Sequence, residues 1–80
     1  MFVNNSAPAH DGFAITPDDA MALPRLARSI YVSGSGDVVL VTYENSTITF
    51  AGVPAGTVLP VVTRQVLATG TTATGLVGLV

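Results

Sequence analysis

Hydrophobic and polar positions change their rhythm near residue 28. Before it, alanine, proline and most of the acids are mixed without a clear period; after it, valine and threonine dominate and glycines mark the breaks. In residues 47–51 (TITFA) the alternation is strict, with Ile48 and Phe50 on one face and Thr47 and Thr49 on the other, as in a half-buried strand. Further strands are predicted over 28–33 (RSIYVS), 38–43 (VVLVTY) and 76–80 (LVGLV). A long run at 57–69 carries Pro60, which limits its early part to an edge or a bend. Turns are expected at 34–37 (GSGD), 44–46 and 53–56, and a Gly/Thr connection at 70–75.

The first part reads differently. Residues 1–14 open on an apolar tip, Met1, Phe2 and Val3, followed by Asn4, Asn5, Ser6 and Pro8, and are expected to form an extended arm. Residues 15–24 predict a helix of about two turns: Thr16 is a good N-cap, Pro17 suits the first helical position, and Asp18 and Asp19 lie near the positive end of the dipole. Ile15 and Ala20 would form a weak hydrophobic staple, Pro24 would stop the helix, and Leu23 would anchor it on the sheet. The expected fold is mainly β: a small antiparallel sandwich or barrel over residues 15–80, with a short N-terminal helix and the arm 1–14.

VVLVTY is apolar on both faces, so it should be covered on both sides, by its own sandwich or by a neighbouring subunit. That makes Val39, Val41 and Tyr43 candidate subunit-interface residues, together with Leu79 and Val80 of the apolar terminal run. The two ends of the chain would either dock on a partner or pair within their own sheet.

Composition strengthens the assembly reading. Eighty residues make one small domain, which needs a disulfide, a metal or a partner to be well stabilised. There is no cysteine and one histidine, His10, so no zinc set exists, and the acids Asp11, Asp18, Asp19, Asp37 and Glu44 have no calcium-loop spacing. Oligomerisation is the remaining route. Charged residues are 10% of the chain against about 25% in ordinary soluble domains, and small polar side chains replace them. Such a surface suits permanent protein contacts. Three dispersed arginines (Arg25, Arg28, Arg64) and a net charge of −2 do not make a nucleic-acid-binding face. No run approaches a transmembrane span, and the start lacks a signal-peptide pattern, so synthesis and use in a cytoplasm are expected.

Little points to chemistry. His10–Asp11 is the one acid–base pair and sits in a loop between Pro8 and Gly12. Ser6, Ser29, Ser33, Ser35 and Ser46 have no nucleophile-elbow context. GSGD lacks the third glycine of a dinucleotide loop and is followed by a strand, so it reads as a hairpin turn. Asn4-Asn5-Ser6 and Asn45-Ser46-Thr47 match a glycosylation pattern that is common by chance. The run LATGTTATG, 67–75, reads as a bend or bulge with unusual backbone angles at Gly70 and Gly75, its threonine hydroxyls bonding backbone groups locally. No cofactor and no enzymatic activity are expected.

Taken in order, several pieces form a pattern: Ile15-Thr16-Pro17 with Asp19, Leu23-Pro24, Tyr31-Val32, Gly34 to Val38, Phe50 to Pro60, and Ala68 to Leu76. Their order and spacing over residues 15–80 resemble the spike base proteins of tailed phages and gene transfer agents. The resemblance implies a virion protein on the outer surface of the head, assembled in the host cytoplasm. It would sit on capsid vertices as a homo-oligomer, with a pentamer favoured by the five-fold site. Its partners would be the major capsid protein and a host-binding spike fibre, with Met1, Phe2 and Val3 as the capsid-docking arm. Two rival readings stand beside it: a trimeric cement or decoration protein at three-fold positions, and a carbohydrate-binding module using Tyr31 or Tyr43.

Overall fold

The computed structural model describes residues 11–80; the expected tip Met1-Phe2-Val3 and His10 lie outside the described residues. Seven strands form two antiparallel sheets. β1 (Gly12–Ala14), β2 (Ser29–Gly34), β5 (Thr57–Leu59) and β7 (Thr74–Leu79) make sheet A, in the order β1-β7-β2-β5. β3 (Gly36–Thr42), β4 (Thr47–Val53) and β6 (Thr63–Val66) make sheet B, in the order β4-β3-β6. The antiparallel sandwich expected from the strand pattern is therefore present.

The core comes from alternate residues of both sheets. Ile30 and Val32 of β2, Leu59 of β5 and Leu76 of β7 meet Val38 and Leu40 of β3, Val53 of β4 and Val66 of β6. Ile30, Val32, Val38 and Leu40 are fully buried, and each such side chain contributes about 1.5–3 kcal/mol. The buried Thr63 hydroxyl donates to the Val61 carbonyl at 2.9 Å, so the core holds no unpaired polar side chain there. Phe13 of β1 packs its ring over Gly78, its cross-strand partner, filling the space left by a missing side chain.

Two bulges tune which residues face inward. Between Gly36/Val53 and Val38/Phe50 the register shifts, so Ala51 and Gly52 supply an extra residue in β4 and both Phe50 and Val53 face the core. Gly52 takes φ 64°, and its N–H donates to Asp37 Oδ1 at 2.8 Å. Between Val41/Gln65 and Thr42/Thr63 the extra residue is Arg64 in β6, which lets Thr63 and Val66 both point inward.

The predicted helix at 15–24 is absent; no helix occurs among the described residues. The acids that suggested a helix start do other work. Asp18 Oδ1 accepts from the N–H groups of Ala20 and Met21 at 2.7 and 3.2 Å, closing a local turn. Asp19 reaches across to Thr69 instead of the helix dipole. Backbone N–H groups that a helix would use internally pair outward: Ile15 to Leu76 O, Asp18 to Val66 O, Leu23 to Arg64 O. The segment is a strap that leaves sheet A, lines the outer edge of β6 and returns through a bridge of Ala27 with Thr63. Leu23 packs against the core as expected.

The GSGD turn is not a hairpin. β2 and β3 lie in different sheets, and Ser35 alone separates them, so the chain changes sheets at this point. Gly36 has φ 152°, and a Cβ there would stand 2.6 Å from Ala73 N. Only glycine allows that approach. Gly12–Ala14, within the expected arm, form an edge strand of sheet A, and Asp11 and Val80 exchange backbone hydrogen bonds at 3.2 and 2.9 Å. Residues 76–80 thus pair within their own sheet.

Candidate assembly surface

The register of sheet A lines up one outward row across all four strands. Ala14 lies beside Val77, Val77 beside Tyr31, and Tyr31 beside Val58. The neighbouring row is Gly12, Leu79 and Ser29. Neither row carries a charge. Tyr31 is 37% exposed and Val58 48%, while Val77 and Leu79 are half-buried. An uncharged sheet face of this kind is the expected chemistry of a protein contact surface.

The outward side of sheet B is built differently. Val39 points away from the core, yet it is buried, because residues 67–73 fold over it. Leu67 N donates to Val39 O at 2.9 Å, and Val39 N donates to Thr71 Oγ1 at 3.0 Å. The same loop is locked at Asp37, whose carbonyl accepts from Thr72 N and Ala73 N and whose N–H donates to Thr72 Oγ1 at 2.8 Å. Thr69 N and Oγ1 donate to the Asp19 carboxylate, at 3.0 and 2.5 Å. Those hydrogen bonds from Thr69 hold the exposed carboxyl below its ordinary value of 3.8. The threonines of LATGTTATG therefore do bond backbone groups, but across the fold rather than locally.

A second apolar cluster forms where β3 leaves sheet B. Tyr43 is 53% exposed, and its N–H donates to Val62 O at 2.9 Å. The Arg64 guanidinium lies 5.4 Å from the Tyr43 ring centroid and donates to the Tyr43 carbonyl at 2.9 Å. Val62 is exposed beside it, and Leu26 is exposed next to the Ala27–Thr63 bridge. Tyrosine and arginine are the side chains that most often anchor interfaces.

Among the predicted interface residues, Tyr43 is open to solvent, and Val41 and Leu79 are half-buried. Val39 and Val80 are buried within their own chain and have little surface to offer a partner. The sequence reading missed Val77 and Val58, and Tyr31 was named only as a sugar-binding candidate. Their signal exists only in the cross-strand register, which joins residues from four separate segments. Asp11 caps the neighbouring Gly12 N–H at 2.8 Å. Among the described residues, no three His, Cys, Asp or Glu side chains converge where they could hold a metal ion.

No protein-family model matches this chain, and no curated protein matches it. A solved structure does: a chain in a structure described as the capsid of a native GTA particle computed with C5 symmetry. The two chains share 42% identity and superpose with a TM-score of 0.86, over 99% of this chain and 92% of the other. At that identity and coverage, the chain belongs to the family of this capsid component of gene transfer agent particles.

Proposed function

We propose that this protein is a structural component of a virion-like particle and, more narrowly, the head spike base on the capsid vertices. The observation that carries the reading is the whole-chain likeness to a component of a capsid computed with C5 symmetry. The five-fold symmetry there belongs to the capsid as a whole, and a capsid has five-fold vertices that a small oligomer could occupy. A ring of five on a five-fold vertex matches the symmetry of its site, whereas a three-fold cement position would not. The uncharged face of Ala14, Val77, Tyr31 and Val58 and the Tyr43–Arg64 cluster supply two different patches. A head-to-tail ring needs two such patches. The role is non-enzymatic: the subunits sit on the outer surface of the head, touch the major capsid protein and hold a host-binding fibre.

The Arg64 stacking on Tyr43 favours a protein contact over a sugar site, because a ring face that a sugar would use is already occupied. Electron microscopy of particles lacking this protein tests the proposal. Intact heads with bare vertices are expected; unchanged vertices would rule it out. Copy number per particle separates the vertex from the three-fold site, because cement positions greatly outnumber vertices.

A further inference from the structure

Among the described residues, every sheet edge is guarded except one. β6 is lined by the strap, through Asp18 N to Val66 O, Leu23 N to Arg64 O, and Gln65 Nε2 to Asp18 O at 2.9 Å. β5 has three residues and is bracketed by Pro54 and Pro60, which have no N–H to offer. β1 also has three residues. Because Asp11 and Val80 exchange both backbone bonds, Gly12 directs its N–H to the open side, where the Asp11 carboxylate caps it. These are the devices by which natural sheets prevent edge-to-edge pairing.

β4 has none of them along its regular part. It runs seven residues, Thr47–Val53, with no charge and no proline, and its bulge lies only at the far end, at Ala51–Gly52. The direction of its free groups follows from the ladder. Val39 sends its N–H to Thr71 Oγ1 and its C=O to Leu67 N, so neither points at β4. Its partner Thr49, and Thr47 two residues away, therefore direct their N–H and C=O groups outward. Both residues are exposed. An uncharged edge with an ordered row of free donors and acceptors is a template for one more strand.

We infer that β4 is a strand-accepting site, and that its occupant is the N-terminal segment, residues 1–10, of a neighbouring copy. This rests on the ring reading above. Among its described residues, a second copy has no other free strand to offer, since its β1, β5 and β6 edges are guarded. Pairing β4 with β4 would close a two-fold pair and could not continue around a ring. Residues 1–9 carry no charged side chain and begin with Met1, Phe2 and Val3, matching the uncharged edge. At about 3.3 Å per residue, a five-residue strand spans about 17 Å and leaves a tether of similar length to Asp11, so the inference requires the neighbour's β4 to lie within that tether's span. The arm would then join subunit to subunit, in place of docking on the capsid.

The chain has no cysteine, so an engineered pair reports cleanly. Full-length variants carrying Thr49→Cys with one of Phe2→Cys, Val3→Cys or Asn4→Cys cover both strand parities. At least one is expected to form interchain disulfides on oxidation, closing as a ladder at the ring size. Intrachain disulfides alone, or none in all three, would overturn the inference. A second variant, Thr49→Pro, removes an outward N–H and leaves the ladder to β3 intact. It should keep the thermal midpoint and raise the concentration needed for assembly by about tenfold, the effect of about 1.4 kcal/mol. Unchanged assembly would count against the site. If the ring forms but no arm disulfide does, this inference falls alone; a monomeric mass takes the ring reading with it.

Discussion

The outward faces of the two sheets began from similar sequence and ended differently. VVLVT in β3 and the SIYV and LVGL segments of sheet A each place valine, leucine or tyrosine on an outward side. On sheet B the chain covers its own apolar residue: the loop over Val39 is fastened by hydrogen bonds from Asp37, Thr71 and Thr72. On sheet A nothing within the described residues covers Tyr31 and Val58. An apolar outward residue is thus not by itself an interface residue. What decides is whether the same chain can bring a satisfied loop over it, because a covering loop must have its own backbone groups paired. Sheet B meets that condition with a threonine-rich loop, and sheet A has no such loop among the described residues.

This contrast can be broken from either side. The largest effect is expected where the covering loop meets the strand. Gly36→Val drives a side chain into the Ala73 backbone at a positive φ, and should cost about 3 kcal/mol or more, read as loss of the folded state in denaturant titration. Thr71→Val removes the acceptor for Val39 N and should cost about 1–2 kcal/mol, with the oligomer mass unchanged. The open face predicts the opposite pattern. Tyr31→Asp, at a side chain 37% exposed and paired with Val77 and Val58, should cost the subunit about 1 kcal/mol and leave it folded, yet abolish assembly in sizing experiments. A variant that unfolds, or one that assembles normally, would contradict the assignment of that face.

The smallest effect belongs to Asp19. Its carboxyl is held below 3.8 by the bonds from Thr69, so the ionised form favours the folded state. The contribution is present above the ordinary carboxylate value and is lost as pH falls through the depressed one. Asp19→Asn should therefore lower stability slightly at neutral pH, and the difference from the parent should shrink below pH 3.8 in acid titrations. An undiminished difference in acid would mean that the Thr69 contact acts through geometry alone.

Much of this was legible in the sequence, and the failures have identifiable causes. Strand positions were marked by alternation and by turn residues, and Pro60 separates an edge strand in one sheet from β6 in the other. The helix at 15–24 was misread because Thr16, Pro17, Asp18 and Asp19 satisfy helix-start rules locally. Long-range partners claimed the segment's groups instead: the Val66 carbonyl the Asp18 N–H, the Arg64 carbonyl the Leu23 N–H, and Thr69 the Asp19 carboxylate. GSGD reads like a hairpin because nothing local tells a turn within a sheet from a step between sheets. Val39 looked like an interface residue because its cover comes from residues 28–32 positions away in the chain. The open face was hidden for the same reason, since its row is assembled by register alone.

The central claim is that the scarcity of charge reflects surfaces covered by copies of the same chain around a five-fold axis. Native mass spectrometry of the full-length protein tests it most directly. The account predicts a dominant species at five times the 8.1 kDa subunit mass, dispersed by Tyr31→Asp without unfolding. A species that stays at 8.1 kDa at every concentration, with the same face still exposed, would contradict it.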